Sequence, residues 1–348
     1  MSDVQSQSFR TSYLWKLPHE SLLSARAFLS ERQEESNTPD TLFPENNFLQ
    51  EQTKGLELQL NLPDEIVWGI NVSQDHQSFS DMLVSTQSYH AASVQWGSFL
   101  QKTLVFKTFT IIPSIRFDHI QNQSGQASPR LQALDDLSST WRLSASAGKS
   151  FRAPRFDELF RSSGTLQANP SLVAEKAWTY DAGFEYHVSS FTQMRTTYFI
   201  SDVKDTIGIQ DERYENIGNS HKQGIEVDWA THWNSKIDDR VNYTFLRHDT
   251  EAYRPIHTAN YFIAYQLNRK FKLDSTFRYL AARYSESNEQ GTKLAAHYLL
   301  DMKITYALRQ MDIYFGINDI TNRRYEEIVG YPLPGITIYG GVSIRLWD

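Results

Sequence analysis

The most constraining feature of this sequence is a period of two in hydrophobicity that continues without error over long segments. Between residues 177 and 188 every second residue is apolar or aromatic, and the residues between them are polar or glycine. Successive side chains of a β-strand point to opposite faces, so the pattern predicts strands with one apolar and one polar face. The alternation recurs at 225–233 and 271–279. Such strands exceed the usual soluble length of about 5 or 6 residues and approach the roughly 9 to 11 that a tilted strand needs to cross a bilayer.

The apolar faces could meet either a protein core or lipid, and the connections between the strands favour lipid. Tight turns, such as 62–65 and 234–236, alternate with long polar loops near 31–52, 152–175, 202–220, 285–295 and 319–335. This alternation is typical of outer-membrane barrels, so we predict an all-β, transmembrane antiparallel β-barrel of about 17 strands. The predicted strands span residues 7–17, 21–30, 53–62, 65–76, 88–101, 104–119, 127–135, 139–151, 176–188, 190–202, 221–234, 236–248, 257–268, 270–284, 296–307, 309–318 and 336–347.

The composition excludes several other classes of protein. No run of 18 apolar residues exists, which excludes transmembrane helices. Cysteine is absent, which excludes disulfide scaffolds and thiolate zinc sites, and the net charge of −7 gives no basic patch for nucleic acid. The HExxH, GxSxG, P-loop and GxGxxG motifs are also absent. We therefore predict a protein that is not an enzyme and that has neither a cofactor nor a metal site.

The strand count has a consequence for the topology. A bacterial single-chain barrel has an even number of strands and begins in the periplasm. With about 17 strands, the last of them ending in the periplasm, the first would begin on the extracellular side. Residues 1–10 also lack the positive and apolar regions of a signal peptide. We expect residues 1–348 to form one barrel domain that is incomplete at its amino terminus.

Five groups of short motifs follow one another in order from residue 113 onwards. Their residues are Pro113, Ser114, Ile115, Arg116, Phe117 and Asp118 with Ser128, Pro129 and Arg130; Ser150, Phe151, Arg152, Ala153 and Pro154 with Phe156, Glu158, Leu159 and Phe160; Asn169, Pro170, Leu172 and Glu175 with Gly183 and Glu185; Asp205, Ile207, Tyr214, Asn216, Gly218, Gly224 and Glu226; and Asn318, Asp319, Ile320, Arg324, Tyr325 and Glu326 with Gly330, Tyr331, Pro332, Pro334 and Gly335. With these motifs the chain resembles the TonB-dependent receptors of the outer membrane, which import scarce ligands such as siderophores or vitamin B12.

The resemblance implies a barrel of 22 strands whose lumen holds an amino-terminal plug domain with a TonB-contacting segment. It therefore implies that about five strands and the plug are missing from residues 1–348. The implied location is the outer membrane of a Gram-negative cell. The implied partners are outer-membrane lipid, the TonB system acting through the missing plug, and a small iron-chelate or corrinoid ligand. The implied function is energy-dependent uptake by a barrel fragment that needs a plug-bearing part.

Loop residues at the extracellular mouth are the candidates for ligand contact, since the family binds its ligands there. The candidates are Tyr214, Asn216, Arg254 and Tyr331. Inward charges such as Glu226 are interpreted either as part of a ligand-passing lumen or as paired wall residues, and pairing is favoured. Trp141, Trp178, Trp229, Trp233 and Tyr325 are interpreted as interfacial aromatics. Glu34, Glu35, Asp40 and Glu45 are interpreted as a flexible polar loop rather than a Ca²⁺ site.

Three alternatives to an importing receptor remain open at this point. A passive porin would have a similar wall, but it predicts a constricting inward loop and no plug partner. A receptor remnant without function would keep the motifs. A soluble β-structured binding module predicts extraction without detergent, and it would not require the alternation of short and long connections.

Overall fold

The computed structural model describes residues 2–37, 46–84, 87–189, 191–249, 252–286 and 291–344. Strands hold 74% of the chain and helix holds 2%, which confirms the predicted all-β class. Among the residues described, no helix has the length and apolarity required to cross a membrane. The helix α1 spans five residues, Phe156–Phe160.

The strands belong mainly to one large antiparallel sheet of 17 strands, where β5 and β6 are counted as one because a single residue separates them. Its members are β1 (Ser2–Lys16), β2 (Leu22–Asn37), β3 (Asn46–Leu62), β4 (Ile66–Asp81), β5 (Tyr89–Lys102), β6 (Leu104–Phe106), β7 (Phe109–Ile120), β8 (Gln126–Asp136), β9 (Trp141–Arg152), β10 (Glu175–Ser189), β11 (Thr192–Lys204), β14 (Ser220–Asn234), β15 (Ile237–His248), β16 (His257–Gln266), β17 (Phe271–Leu280), β20 (His297–Ala307), β21 (Met311–Asn318) and β24 (Thr337–Ile344). The predicted count of about 17 strands is confirmed.

Three small two-stranded sheets lie in the long connections and were not predicted. They pair β12 (Ile207–Gln210) with β13 (Arg213–Asn216), β18 (Arg283–Tyr284) with β19 (Lys293–Leu294), and β22 (Tyr325–Ile328) with β23 (Tyr331–Leu333). Each pair is antiparallel, so these connections are folded hairpins with backbone partners of their own.

The chain divides into two compact units. Unit 1 comprises Met1–Ala133, Ser146–Thr179 and Asp202–Asn219. In it β1 pairs with β2, β2 with β3, β3 with β4, and β4 with β5, so that consecutive strands are neighbours. The turn between β3 and β4 lies where it was predicted, and both Asp64 and Glu65 have φ of 60°. Two successive positive φ angles match the right-handed twist of a tight hairpin.

Unit 2 comprises Leu134–Ala145, Tyr180–Ser201 and Ser220–Asp348. Its consecutive strands pair in the same way, from β14 through β15, β16, β17, β20 and β21 to β24. Gly224 of β14 lies where strand neighbours approach closely, because a Cβ there would lie 2.3 Å from the carbonyl oxygen of Phe245 and 2.7 Å from the Phe199 ring.

The two faces of the strands differ as the alternation predicts. In unit 1, Leu56 of β3 is opposite Val72 of β4, which is opposite Trp96 of β5, and all three are exposed. The next row carries polar groups, among them Arg26, whose Nη1 donates to Glu57 Oε2 at 3.0 Å. An apolar face with this much exposure is unusual for a soluble protein and suits contact with lipid.

The predicted loop at 31–52 is wrong for most of its length. β2 continues to Asn37 and β3 begins at Asn46, and polar side chains bridge the two strands. Arg32 Nη1 donates to Glu51 Oε2 at 3.1 Å. Polar residues on both faces conceal the period of two, which is why the sequence suggested a loop. Glu34 and Glu35 are therefore strand residues, whereas Asp40 and Glu45 lie outside the described residues.

The prediction of one continuous strand over 104–119 is also wrong, because the chain turns within this segment. β6 continues the direction of β5, and the chain turns at residues 107–108 before β7 begins. Lys107 has φ of 55° in this turn. A lysine in the left-handed region gives no sequence signal comparable to glycine or asparagine, so the turn was not recognised.

We predict that Gly224→Ala destabilises unit 2, because the added methyl group would overlap the Phe245 carbonyl and the Phe199 ring. Overpacking of this kind costs about 1–3 kcal/mol. The free energy of unfolding in detergent, measured by urea titration, checks this. Gly340→Ala is the matched control, since its Cβ would lie 3.1 Å from Tyr314 O, much farther than the 2.3 Å that separates a Cβ at Gly224 from Phe245 O. Equal stability of the two variants would contradict the prediction.

Candidate functional site

Arg152 anchors the long connection between β9 and β10 in unit 1. Its guanidinium makes a bidentate pair with Glu175, with Nε to Oε2 at 2.9 Å and Nη2 to Oε1 at 3.0 Å. Its Nη1 also donates to both carboxylate oxygens of Glu158, at 3.1 and 3.0 Å. Glu158 is only 4% exposed. A buried carboxylate needs such charge-assisted partners, so Arg152 holds α1 against the start of β10.

The carboxylates of Glu158 and Glu175 each also accept a hydrogen bond from a backbone N–H group. Glu158 Oε2 accepts the backbone N–H of Arg155 at 2.8 Å, which closes the first turn of α1. Glu175 Oε1 accepts the backbone N–H of Ile207 at 2.7 Å, at the start of β12. Through Arg152 the helix and the β12–β13 hairpin are therefore held to the same point.

Asn169 makes a second connection between the two loops. It is 4% exposed, its backbone N–H donates to the carbonyl of Glu158 at 2.9 Å, and its side-chain amide donates to the carbonyl of Tyr214 at 2.8 Å. Arg213 Nη2 donates to the Asn169 side-chain oxygen at 3.2 Å. Neighbouring Pro170 is exposed. Buried side-chain amides with several partners are structural, so Asn169 fixes the hairpin onto the loop.

Asn216 completes the same set of contacts. Its side-chain oxygen accepts from the backbone N–H of Val173 at 3.0 Å, and its amide donates to the carbonyls of Asp205 at 2.7 Å and Val173 at 3.1 Å. The adjacent Tyr214 is half-buried, and burial raises the pKa of its phenol above the ordinary value, with the charge of Asp157 adding to the effect. We call Arg152, Glu158, Asn169, Glu175 and Asn216 the loop clasp.

A cavity of about 950 Å³ lies next to the loop clasp in unit 1. Its walls are the polar faces of β2 to β5 and the segment from Ala153 to Arg161, which includes the buried Pro154. Charged and amide side chains alternate along the strands, for example Thr53 Oγ1 donating to Asp75 Oδ1 at 2.8 Å. A cavity of this size with a few polar groups fits a drug-sized ligand.

One end of this cavity is aromatic. Tyr89 stacks on Phe79 with ring centroids 5.9 Å apart and lies 6.1 Å from the Phe160 ring, and its hydroxyl donates to Gln77 Oε1 at 2.6 Å. The Arg161 guanidinium lies 4.0 Å from the centroid of the Phe79 ring, which is a cation–π contact. Among the residues that the structure describes, Arg161 has no ion-pair partner, so its positive charge is available to the cavity.

In unit 2 the connection between β21 and β24 is organised by Asp319, which is 4% exposed. Its carboxylate accepts the Thr321 hydroxyl and the backbone N–H of Arg323, both at 2.6 Å. Its own backbone N–H donates to Asp301 Oδ1 at 2.8 Å. Asn318, the motif residue before it, ends β21 and is exposed. Asp319 therefore forms the turn, a role that the residue type favours.

The remaining motif residue of this loop, Tyr325, stacks on His297 with ring centroids 4.5 Å apart. Burial raises the pKa of the Tyr325 phenol, and the charge of Glu327 adds to this. Tyr325 lies in the β22–β23 hairpin and not on a wall strand. Tyr331 is 71% exposed in the same hairpin, and Arg254 is exposed in the connection between β15 and β16.

The other predicted residues lie within strands. Phe151 precedes Arg152 in β9 and is half-buried. Gly183 in β10 leaves room for Thr196, whose carbonyl would lie 2.8 Å from a Cβ there, as Gly224 does for Phe199. Glu226 of β14 borders a smaller cavity of about 450 Å³ in unit 2. These glycines serve close packing, and a role for them in ligand contact has no support in their geometry.

The aromatic residues near strand ends behave as residues of a membrane interface would. In unit 2, Trp233 is exposed and its indole N–H donates to Asp239 Oδ1 at 3.1 Å, while Trp229 donates to Thr231 Oγ1 at 2.8 Å. Trp141 stacks on Tyr186 with ring centroids 4.0 Å apart. An apolar ring with a satisfied polar edge suits the lipid–water boundary.

Comparison with protein families places nearly the whole chain in one model. Residues 1–320 match the model described as "TonB dependent receptor-like, beta-barrel". A curated relative, the heme/hemopexin utilization protein C of Haemophilus influenzae, is 23% identical over 320 residues, which are 75% of this chain and 45% of that protein. The chain thus spans about half the length of this relative.

Solved structures show the same fold. The ferric enterobactin receptor PfeA of Pseudomonas aeruginosa superposes with a TM-score of 0.77 at 15% identity, over 98% of this chain and 61% of that one. The siderophore receptor PirA of Acinetobacter baumannii gives 0.78 at 13% identity, over 98% and 62%. The copper transporter OprC gives 0.77 at 15% identity, over 97% and 65%.

We predict that Arg152→Met loosens the loop clasp without unfolding the sheet. The substitution leaves Glu158 buried without its cation, but Arg152 is itself 40% exposed, so the loss is about 1–2 kcal/mol rather than that of a fully buried pair. Hydrogen exchange should become faster in residues 153–174 and 205–217 and stay unchanged in β2 to β4. The control is Arg142→Met, which breaks an exposed pair with Asp136. Unchanged exchange in both loops would refute the role of Arg152.

Proposed function

This chain belongs to the TonB-dependent receptor β-barrel family, and we propose that it forms the wall of a receptor for energy-dependent uptake of a scarce metal chelate. The family consists of receptors and transporters in the outer membrane of Gram-negative bacteria. We propose the same membrane for this chain, on the support of the exposed apolar strand faces. The proposed ligand is a siderophore–iron complex or heme.

The observation that carries the proposal is the cavity of unit 1 with its aromatic end and with Arg161, a cation that has no ion pair among the described residues. Ferric siderophores and heme combine flat or apolar groups with negative charge. The rings of Phe79, Tyr89 and Phe160 offer faces for such groups, and Arg161 offers the opposite charge. The loop clasp supports this use of the cavity, because it holds α1, which carries Phe160, in a fixed position.

The relatives support a metal chelate more than a corrinoid. Their descriptions name heme/hemopexin utilization, ferric enterobactin, a siderophore and copper. We therefore keep cobalamin as the alternative that the sequence motifs suggested, and place it second.

Among the predicted contact residues, Arg254 and Tyr331 suit an exposed binding mouth, because both are exposed in long connections of unit 2. Burial raises the pKa of the Tyr214 phenol, so Tyr214 offers the ligand an uncharged hydrogen-bonding group. Both ends of the Asn216 amide are hydrogen-bonded to the backbone of Val173 and Asp205, so we assign Asn216 to positioning of the β12–β13 hairpin. Direct ligand contact by Tyr214, Arg254 and Tyr331 remains a prediction.

We further propose that uptake requires TonB and a plug-bearing segment, as the family resemblance implies. The test uses an iron-starved host that lacks its own siderophore, heme and cobalamin receptors. The chain is expressed in the outer membrane with and without a plug-bearing segment, and uptake of ⁵⁵Fe–enterobactin, hemin and ⁵⁷Co–cyanocobalamin is measured with and without TonB. We expect uptake of an iron probe only when the plug-bearing segment and TonB are both present.

Other outcomes separate the alternatives. Uptake that persists without TonB and depends only on probe size would indicate a porin. A folded, surface-exposed chain that takes up none of the three probes would indicate a remnant. Uptake of ⁵⁷Co–cyanocobalamin alone would replace the iron chelate with a corrinoid.

A point substitution tests the cavity itself. We predict that Arg161→Gln weakens binding of the transported iron probe about tenfold, because a cation beside an aromatic ring in a partly desolvated site contributes on the order of 1–2 kcal/mol. Binding to intact cells at 4 °C, where transport is arrested, measures this. The control is Arg195→Gln, which removes an exposed arginine from unit 2. If both variants bind like the unaltered chain, the cavity is not the ligand site.

A further inference from the structure

Unit 2 contains a buried arginine that has no carboxylate partner among the described residues. Arg283 in β18 is 4% exposed. Its Nη2 donates to the backbone carbonyl of Glu326 at 3.2 Å, while its Nη1 is buried with no acceptor. Within the described residues it forms no ion pair. Buried charges in proteins are usually paired or coordinated, so Arg283, with one buried N–H free, is a candidate anion site.

His297, at the start of β20, lies against β22, the strand that contains Glu326. It is 5% exposed, and its ring stacks on Tyr325, the residue before Glu326. Its Nε2 is buried without a partner, and its Nδ1 lies 3.5 Å from the carbonyl of Ala295, at the outer limit of a hydrogen bond. A carbonyl oxygen only accepts, so Nδ1 carries a proton in this contact. Nε2 is a second donor when the ring is doubly protonated, the form that a bound anion favours.

The other charged groups near His297 do not neutralise Arg283. Arg278 is a further cation, and its own charge is paired with Asp301 Oδ2 at 3.0 Å. Glu327 acts on His297 electrostatically, but it is exposed to solvent and makes no ion pair with Arg283 among the described residues. The Glu326 carboxylate accepts the backbone N–H of Gly330 at 3.0 Å. Asp319 also lies near the Tyr325 ring, but its carboxylate accepts from Thr321 and from the backbone N–H of Arg323. Among the described residues, none of these carboxylates forms an ion pair with Arg283.

We propose that Arg283 and His297 form a binding site for one small carboxylate anion against β22. One oxygen accepts Nη1–H of Arg283 and the other accepts Nε2–H of His297, which satisfies both donors and the charge. The occupant is a small free anion rather than an imported chelate, because the exposed fractions of 4% and 5% leave no opening for a large ligand. The bound anion stabilises the β22–β23 hairpin, whose strand β22 both residues contact.

Formate is the probe for this site. The full chain is folded in detergent micelles, and its thermal unfolding midpoint is measured by circular dichroism across a formate titration. Ionic strength is held with sodium HEPES, whose anion is too large for a buried site. We expect a saturable rise of about 2–5 °C, because a ligand that binds only the folded state raises its stability. Arg283→Gln removes the charge and should abolish the rise.

Arg195→Gln is the matched control, since it removes an exposed arginine of the same unit and should keep the full formate response. Broadening of the ¹³C-formate resonance by the folded, unaltered chain reports binding directly. His297→Gln should weaken that binding several-fold, which gives a readout if Arg283→Gln does not fold. The proposal is overturned if formate neither shifts the midpoint nor broadens, or if Arg283→Gln responds like the unaltered chain. Neither result bears on which chelate is imported.

Discussion

Backbone hydrogen bonding between neighbouring antiparallel strands is the interaction on which the rest of this structure depends. Lipid offers no partner for N–H and C=O groups, so a chain that crosses it as strands must satisfy them strand to strand. Long regular ladders such as β2–β3, with partners from Leu22 to Asn37, do this. Once the ladders satisfy the backbone, one side-chain row is free to be apolar, as Leu56, Val72 and Trp96 are, and the other is free to be polar. The wall and its cavity follow from that division.

The sequence predicted the fold well wherever this division is visible in it. The strand predicted at 176–188 is β10, Glu175–Ser189, because apolar residues alternate with polar residues or glycine from Trp178 to Val188. The ends of β2 and β3 were missed because their pairing rests on polar contacts such as Arg32 with Glu51, which leave no alternation. The turn at Lys107 was missed because a left-handed lysine has no distinctive sequence signal. Periodicity reports which side of a strand is apolar, and it is silent where both sides are polar.

The candidate site was predictable in its residues but not in its geometry. Motif resemblance singled out Arg152, Glu158 and Glu175, yet nothing in their spacing shows that one guanidinium binds both carboxylates. That contact depends on how the long connections fold back, which is a tertiary effect. The aromatic end of the cavity was missed for the same reason, since Phe79 and Tyr89 belong to different strands and meet Phe160 of α1 only in the folded unit. The motifs thus identify the residues that hold the loops more reliably than those that line the cavity.

Burial decides what the guanidiniums of Arg161 and Arg283 can bind. Arg161 lines a cavity of about 950 Å³ beside three aromatic rings, where a large chelate can bring its own negative charge and leave again. Arg283 is 4% exposed, where only a small anion fits and where losing it would leave the buried Nη1 without an acceptor. The first arrangement suits a ligand that must be released. The second suits an anion that remains, because its departure would leave Arg283 without an ion pair among the described residues and would weaken the β22–β23 hairpin.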